Sequence, residues 1–236
     1  MIPRRPLDAV LFDLDDTLVD HRGAARAGLE RWASSHGVTG TPDEIAERWS
    51  ALEVRHYAAY QQRRLTFAEQ RRARVRAFLP HLDLSSDAAA DDAFAGYLVG
   101  YQAAWRAFGD ATRALRRAAA AGLVVGVLTN GDAVRQRRKA EAVGLAALLD
   151  GLGAPVLASS SLPAAKPDAR SYAAACDRLG VAPATTLMVG DSLVNDVRGA
   201  LDAGLAAVLL DRYDEHPTAG VRRVRTLDEL DFGRAA

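Results

Sequence analysis

The run Leu123–Leu128, LVVGVL, has no polar face. A strand like this must be covered on both sides, as in a parallel sheet flanked by helices. The chain around it repeats that arrangement. Asp110 can cap a helix running to Ala121, with Gly122 ending it. After the strand, a helix is predicted over Ala133–Val143, a short strand at Pro155–Ala158 and a helix over Pro167–Leu179 closed by Gly180. A strand at Thr186–Val189, a helix over Asn195–Ala203 closed by Gly204 and a strand at Ala206–Leu210 complete the series. Strand and helix alternate, so the expected fold is α/β, a doubly wound parallel sheet.

One more strand belongs to this sheet. Val10, Leu11 and Phe12 form a short apolar run near the N-terminus. From about His21 to Phe108 the pattern is helical, with no convincing strand. Leu29, Trp32 and Ala33 mark a first helix that ends near Gly37. Thr41 with Glu44, and Thr66 with Glu69, are capping boxes that open a second and a third helix. Phe94, Leu98, Tyr101, Trp105 and Phe108 form the apolar stripe of a fourth. The expected organisation is a core of residues 1–20 and 109–236 with a helical domain, 21–108, inserted after the first strand. The last residues, from Gly233, are expected to fray.

The formal net charge is zero and the sequence pI is about 7, so no global field favours a nucleic-acid polymer or an anionic membrane. There is one cysteine, Cys176, on an alanine-rich helical stretch, where a packed core thiol is expected. No apolar run approaches membrane-spanning length and no signal-peptide pattern is present, so a cytoplasmic location is expected. The only lysines are Lys139 and Lys166; elsewhere the chain uses arginine.

Open α/β sheets bind ligands beyond the carboxyl ends of their strands. The first strand ends in Asp13-Leu14-Asp15, with Asp16 and Thr17 following. Strand alternation puts Asp13 and Asp15 on one side, and so many carboxylates repel one another unless a cation sits among them or one is protonated. The second strand ends in Thr129-Asn130-Gly131, Lys166-Pro167-Asp168 follows the third, and the fourth ends in Gly190-Asp191-Ser192 with Asn195-Asp196 beyond. Acids for a hard cation, donors for phosphate oxygens, a nucleophile and a proton carrier together suit magnesium-assisted phosphoryl transfer. Taken singly, Asp191 or Asn195 could cap a helix, Thr129 could pack a strand end and Lys166 could be a surface residue.

DLDDTLVD at 13–20, TNG at 129–131, KPD at 166–168 and GDSLVND at 190–196 occur in order at successive strand ends. In this the chain resembles the haloacid dehalogenase-like hydrolase superfamily, over nearly its whole length. The resemblance implies a Rossmann-like core with a helical cap. It implies that Asp13 is the nucleophile and Asp15 the general acid and base. Asp13 and Asp191 would hold Mg²⁺ through side chains and Asp15 through its backbone carbonyl. Asp196 would hold a metal-bound water or orient Lys166. Thr129 and the backbone amide of Asn130 would bind the phosphoryl group, and Lys166 would offset its charge. Asp16 stands where many relatives have glycine and reads as a turn residue.

Within the family, dehalogenases lack an acid two residues after the nucleophile, so Asp15 points to phosphate esters. Phosphonate hydrolases need a cap lysine, and 21–108 contains none. Mutases share all four motifs, and a non-catalytic binding protein that keeps the fold is the reading from another class. The expectation is a Mg²⁺-dependent phosphatase acting, through an aspartyl-phosphate, on a small phosphorylated metabolite such as a nucleoside monophosphate or a sugar phosphate. Neither the oligomeric state nor the substrate-contacting residues of 21–108 can be read; His21, Arg22, Tyr57 and Tyr60 are assigned to solvent or packing.

Overall fold

Side chains of opposite parity on the buried strands enter two separate cores, and this sets the layers of the α/β part. In a computed structural model that describes residues 7–232, β1 (Ala9–Phe12) sends Val10 and Phe12 into one apolar cluster and Leu11 into another. The first cluster also takes Val125, Val127, Leu187 and Val189; the second takes Leu128, Met188, Tyr172 and Cys176. Cys176 is buried, as expected of a packed thiol. The expected fraying from Gly233 lies outside the described residues.

The described strands form one six-stranded sheet, every pairing parallel, in the order β3-β2-β1-β4-β5-β6. Its further members are β2 (Val124–Thr129), β3 (Val156–Ala158), β4 (Thr186–Gly190), β5 (Ala206–Leu210) and β6 (Arg223–Val224). The sequence pattern misses β6, because two residues at an edge carry no periodicity.

The chain divides into two compact units, one made of Met1–Asp20 with Arg106–Ala236 and the other of His21–Trp105. In the second, α1 (His21–Ser35), α2 (Pro42–Gln61), α3 (Phe67–Phe78) and α4 (Asp87–Ala103) pack around Trp32, Trp49, Phe78, Phe94 and Tyr97. Both expected capping boxes are present, at Thr41 and Thr66. Gly28 of α1 lets α4 approach closely, since a Cβ there would stand 2.7 Å from the Tyr101 backbone nitrogen. Arg74, 3% exposed, pairs with Glu53 at 2.8 Å and lies 3.9 Å from the Trp49 ring centroid.

The fourth helix is shorter than its apolar stripe suggests. It stops at Ala103, and Phe108 belongs to the first unit. The backbone of 106–108 pairs instead with 18–20: Asp20 N–H donates to the Arg106 carbonyl (3.0 Å) and Phe108 N–H to that of Leu18 (2.9 Å). Helix and extended pairing compete for the same backbone groups, and the pairing wins.

In the first unit α5 (Ala111–Ala120), α6 (Ala133–Ala142), α7 (Ala146–Gly151) and α8 (Ala169–Leu179) alternate with the strands. The short α7 has too few residues to show a period and escapes the sequence reading. The helix expected at Asn195–Ala203 begins earlier, as a π-helical turn, Leu193–Arg198, that runs into α9 (Gly199–Asp202). Its cap is Ser192, whose hydroxyl accepts from Asn195 N–H, and not Asp191 or Asn195.

Asp110 precedes α5 but makes no side-chain cap. Its carboxylate accepts from Arg212 at 2.8 and 2.9 Å and from Leu227 N–H at 2.9 Å, all in buried or half-buried surroundings. Loss of a cap costs about 1 kcal/mol, whereas breaking a buried ion pair costs roughly 3–5 kcal/mol. Asp110→Ala is therefore expected to destabilise by the larger amount in chemical denaturation, and a loss of only a cap's size would refute the pairing role.

Candidate active site

The sheet register brings the functional ends together. Phe12, the last residue of β1, is level with Val127 of β2 and Val189 of β4. Asp13 follows at once, its N–H donating to the Val189 carbonyl at 2.9 Å. Thr129 ends β2 and Gly190 ends β4, on either side of it. Asp16, in the turn after β1, has φ +57°, a left-handed conformation that aspartate tolerates better than most residues and glycine best.

Lys166 is the centre of the cluster. The residue is 3% exposed and its ammonium has three acceptors: Asp13 Oδ1 at 2.6 Å, Asp196 Oδ1 at 2.5 Å and the Leu128 carbonyl at 2.9 Å. An ammonium has three N–H donors, so the set is complete. The surface alternative for this lysine is overturned. Asn130 fixes the backbone that carries it, donating to the Lys166 carbonyl and accepting from the Lys166 N–H, both at 2.9 Å. That clamp is the observed work of the Asn130 side chain.

Asp196 is 1% exposed and spends both carboxylate oxygens, one on Lys166 and the other on Ser192 N–H at 2.9 Å. The π turn carries it inward, a frequent use of such turns at functional sites. Gly190 leaves the space: a Cβ there would fall 2.3 Å from the Asp196 carboxyl carbon. Asp191 completes the group, and one carboxylate oxygen from each of Asp13, Asp191 and Asp196 lies within 4.8 Å of the others. Thr17 Oγ1 is 3.5 Å from Asp191 Oδ1.

Asp15 stands apart from this trio. Lys139 Nζ lies 2.5 Å from its Oδ1, and Gln136 Nε2 donates to its Oδ2 at 3.1 Å. The same Gln136 nitrogen is 2.8 Å from Thr129 Oγ1. Thr129 is buried, and its hydroxyl sits between Gln136 and the Asn130 carbonyl. Sequence reasoning placed Asp15, Thr129 and Asn130 at the site but missed Gln136 and Lys139. The available signal was their spacing of three on one helix, one of them being the only lysine besides Lys166.

Crowding shows in the titration of the carboxylates. Burial, reinforced by Asp196 and opposed by Lys166, pushes Asp13 up to about 7. Burial with the charges of Asp196, Asp13 and Asp16 holds Asp191 well above the usual carboxylate range. Burial works against the Lys166 ammonium, but Asp13 and Asp196 outweigh it and hold its pKa above the ordinary value. The group has more negative charge than Lys166 neutralises. Its oxygens can take a divalent cation and leave one carboxylate oxygen to act as a nucleophile.

A family model for haloacid dehalogenase-like hydrolases matches residues 7–204. The phosphatase MT3486 of Mycobacterium tuberculosis is 38% identical over 130 residues, 55% of this chain and 58% of its own length. The chain thus spans little more than half of that relative. A phosphoglycolate phosphatase of Rhodospirillum rubrum is 30% identical over 231 residues, 94% of this chain and 87% of that protein. Among solved structures, the HAD-hydrolase YfnB of Bacillus subtilis superposes with a TM-score of 0.77 at 20% identity, covering 95% of this chain and 97% of that one, a likeness of fold. With that match reaching from β1 to the turn after α9, the chain belongs to the haloacid dehalogenase-like hydrolases.

Proposed function

We propose that this phosphoric monoester hydrolase is a Mg²⁺-dependent phosphatase that acts on a small phosphorylated metabolite through an aspartyl-phosphate on Asp13. One observation carries the reading. Asp13 shares the Lys166 ammonium with Asp196 while Asp191 converges on the same point, and Asp15 has other partners. Two carboxylates in different surroundings can take different chemical roles.

The residues fit a divalent cation, which this family generally uses. Carboxylate oxygens are hard donors of the kind Mg²⁺ prefers, and a cation relieves the crowding that raises Asp13 and Asp191. Asp13 and Asp191 would hold it through side chains and Asp15 through its backbone carbonyl, with Asp196 holding a bound water or orienting Lys166. When bound, the ion offsets negative charge on the phosphoryl group.

The other roles fall to the chain itself. Asp13 supplies the attacking oxygen and Lys166 balances the charge that it and phosphate bring together. The Thr129 hydroxyl and the backbone N–H of Asn130 bind phosphoryl oxygens. Asp15 gives a proton to the leaving oxygen and then takes one from water, a contribution of ~10²–10⁴-fold in rate. A halide leaves without a proton, so an acid at position 15 favours ester cleavage over dehalogenation. We assign the helical unit His21–Trp105 the part of the cap, a role that goes with small substrates; phosphoglycolate, nucleoside monophosphates and sugar phosphates are the compounds to screen.

Wild-type protein is expected to hydrolyse p-nitrophenyl phosphate with Mg²⁺ and to stop in excess EDTA, and Asp13→Asn is expected to lose at least about 10³-fold in kcat. Activity that survives Asp13→Asn would sink the mechanism.

A second expectation concerns stability. Asp13 has a folded value of about 7 against an ordinary 3.8. A carboxyl raised in the folded state favours folding at low pH, and that contribution is lost as pH climbs through the folded value. Metal-free protein should therefore lose stability from this group between about pH 4 and about pH 7. Mg²⁺ binds the deprotonated site, so the rise in Tm that it causes should grow across the same window. Thermal melts of wild type and Asp13→Asn with and without Mg²⁺ check this; a Mg²⁺ effect that shrinks with rising pH contradicts it.

A further inference from the structure

The acid two residues after Asp13 is held by a device of its own. Lys139 and Gln136 lie three residues apart on α6 and so share a helix face. Both are buried, at 6% and 5% exposure. Each takes a different oxygen of Asp15: Lys139 Nζ lies 2.5 Å from Oδ1, and Gln136 Nε2 is 3.1 Å from Oδ2. The Gln136 nitrogen also reaches Thr129 Oγ1 at 2.8 Å and the Asn130 carbonyl at 3.2 Å. It therefore ties the acid to the strand end where the phosphoryl group would sit. Burying an ammonium is costly unless a partner compensates for its lost water. Packing needs alone would put an apolar residue at position 139, as they do at the neighbouring Ala140, which is fully buried.

We propose that Lys139 and Gln136 are positioning residues for proton transfer by Asp15. They lock its carboxyl group so that one oxygen faces the ester oxygen leaving phosphorus. This rests on the reading of Asp15 as acid and base given above. In the first half-reaction an Asp13 oxygen bonds to phosphorus and the ester P–O bond breaks. Its electron pair stays on the alcohol oxygen, which takes the Asp15 proton. Asp15 is left as a carboxylate opposite the Lys139 ammonium. In the second, a water oxygen bonds to phosphorus, the Asp13–phosphorus bond breaks with its pair returning to Asp13, and a water proton passes to Asp15. Two side chains that hold both Asp15 oxygens keep the same group aimed for both transfers.

The test compares aryl phosphates of similar size whose phenols differ in acidity. kcat/KM reports the steps up to departure of the phenol. A leaving group as good as p-nitrophenolate needs little help from an acid; phenolate needs more. Lys139→Met and Gln136→Met are expected to lose roughly tenfold or more in kcat/KM for phenyl phosphate and less than about threefold for p-nitrophenyl phosphate. In an Asp15→Asn background the same changes should cost nothing further, since the group they position is gone. Lys139→Gln, which keeps a donor at that place, should recover part of the loss and also serves if the methionine variant folds poorly. Equal losses on both esters, or further loss on top of Asp15→Asn, would show a merely structural role and overturn the proposal. Asp13→Asn in the same assay separates the two claims. If it stays active, the aspartyl-phosphate reading falls and takes this inference with it. If it is dead while Lys139→Met is flat across leaving groups, the reading stands and the inference alone fails.

Discussion

A single buried ammonium determines how this core can be built. Lys166 neutralises only part of the negative charge that Asp13, Asp191 and Asp196 bring to one point. Two of those carboxylates are almost wholly out of water. Charges so placed are costly unless paired and fully hydrogen-bonded. The neighbouring structure supplies that: the Leu128 carbonyl takes the third Lys166 proton, Ser192 N–H takes the second Asp196 oxygen, and Asn130 pins the Lys166 backbone. The remaining excess of negative charge is scaffold cost turned to use, because it is what a cation needs.

The sheet makes this convergence possible. With β1 between β2 and β4, three strand ends face the same crevice, and the loop before α8 brings Lys166 in beside them. Parallel register fixes their heights together, so a shift of β1 by one residue would turn Asp13 to the opposite face. The apolar runs that form the strands and the polar residues that end them thus belong to one design. The two strands that lead to Asp13 and Asp191, β1 and β4, are buried at every residue, and their charged ends follow at once.

How far the sequence reveals this follows from what repeats and what does not. Strands such as Ala206–Leu210 are legible because a short apolar run just after a helix-ending glycine, in a chain that alternates strand and helix, fits a buried strand, and the capping boxes at Thr41 and Thr66 because they pair two residue types at a fixed spacing. The roles of Trp105, Phe108 and Asp110 were not legible. Trp105 and Phe108 extend a helical stripe by spacing alone, but the backbone is drawn off at Ala103 to pair with 18–20. Asp110 sits at a cap position by type, but Arg212, distant in sequence, captures its carboxylate. Both failures are cases of a long-range partner outbidding a local preference. The same holds at the site: Asp13 and Asp15 look equivalent on a strand, and only tertiary contacts give one to Lys166 and the other to Lys139 and Gln136.

The choice of lysine follows from geometry as well as charge. Arginine serves almost everywhere else in this chain, including the bidentate pair of Arg137 with Asp150 and the pair of Arg212 with Asp110. Its flat fork suits a carboxylate presented edge-on. Around Lys166 the acceptors come from three separate segments, Asp13, Leu128 and Asp196, and a compact ammonium with three rotatable donors can meet them where a planar group would leave one unmatched. At Asp15, Gln136 already occupies one carboxylate oxygen, so a bidentate guanidinium would compete with it, whereas a point charge takes the other oxygen and leaves the amide in place. Each of the two lysines in a chain otherwise committed to arginine puts a buried ammonium on a carboxylate whose other oxygen is held by a second donor, Ser192 N–H at Asp196 and Gln136 at Asp15.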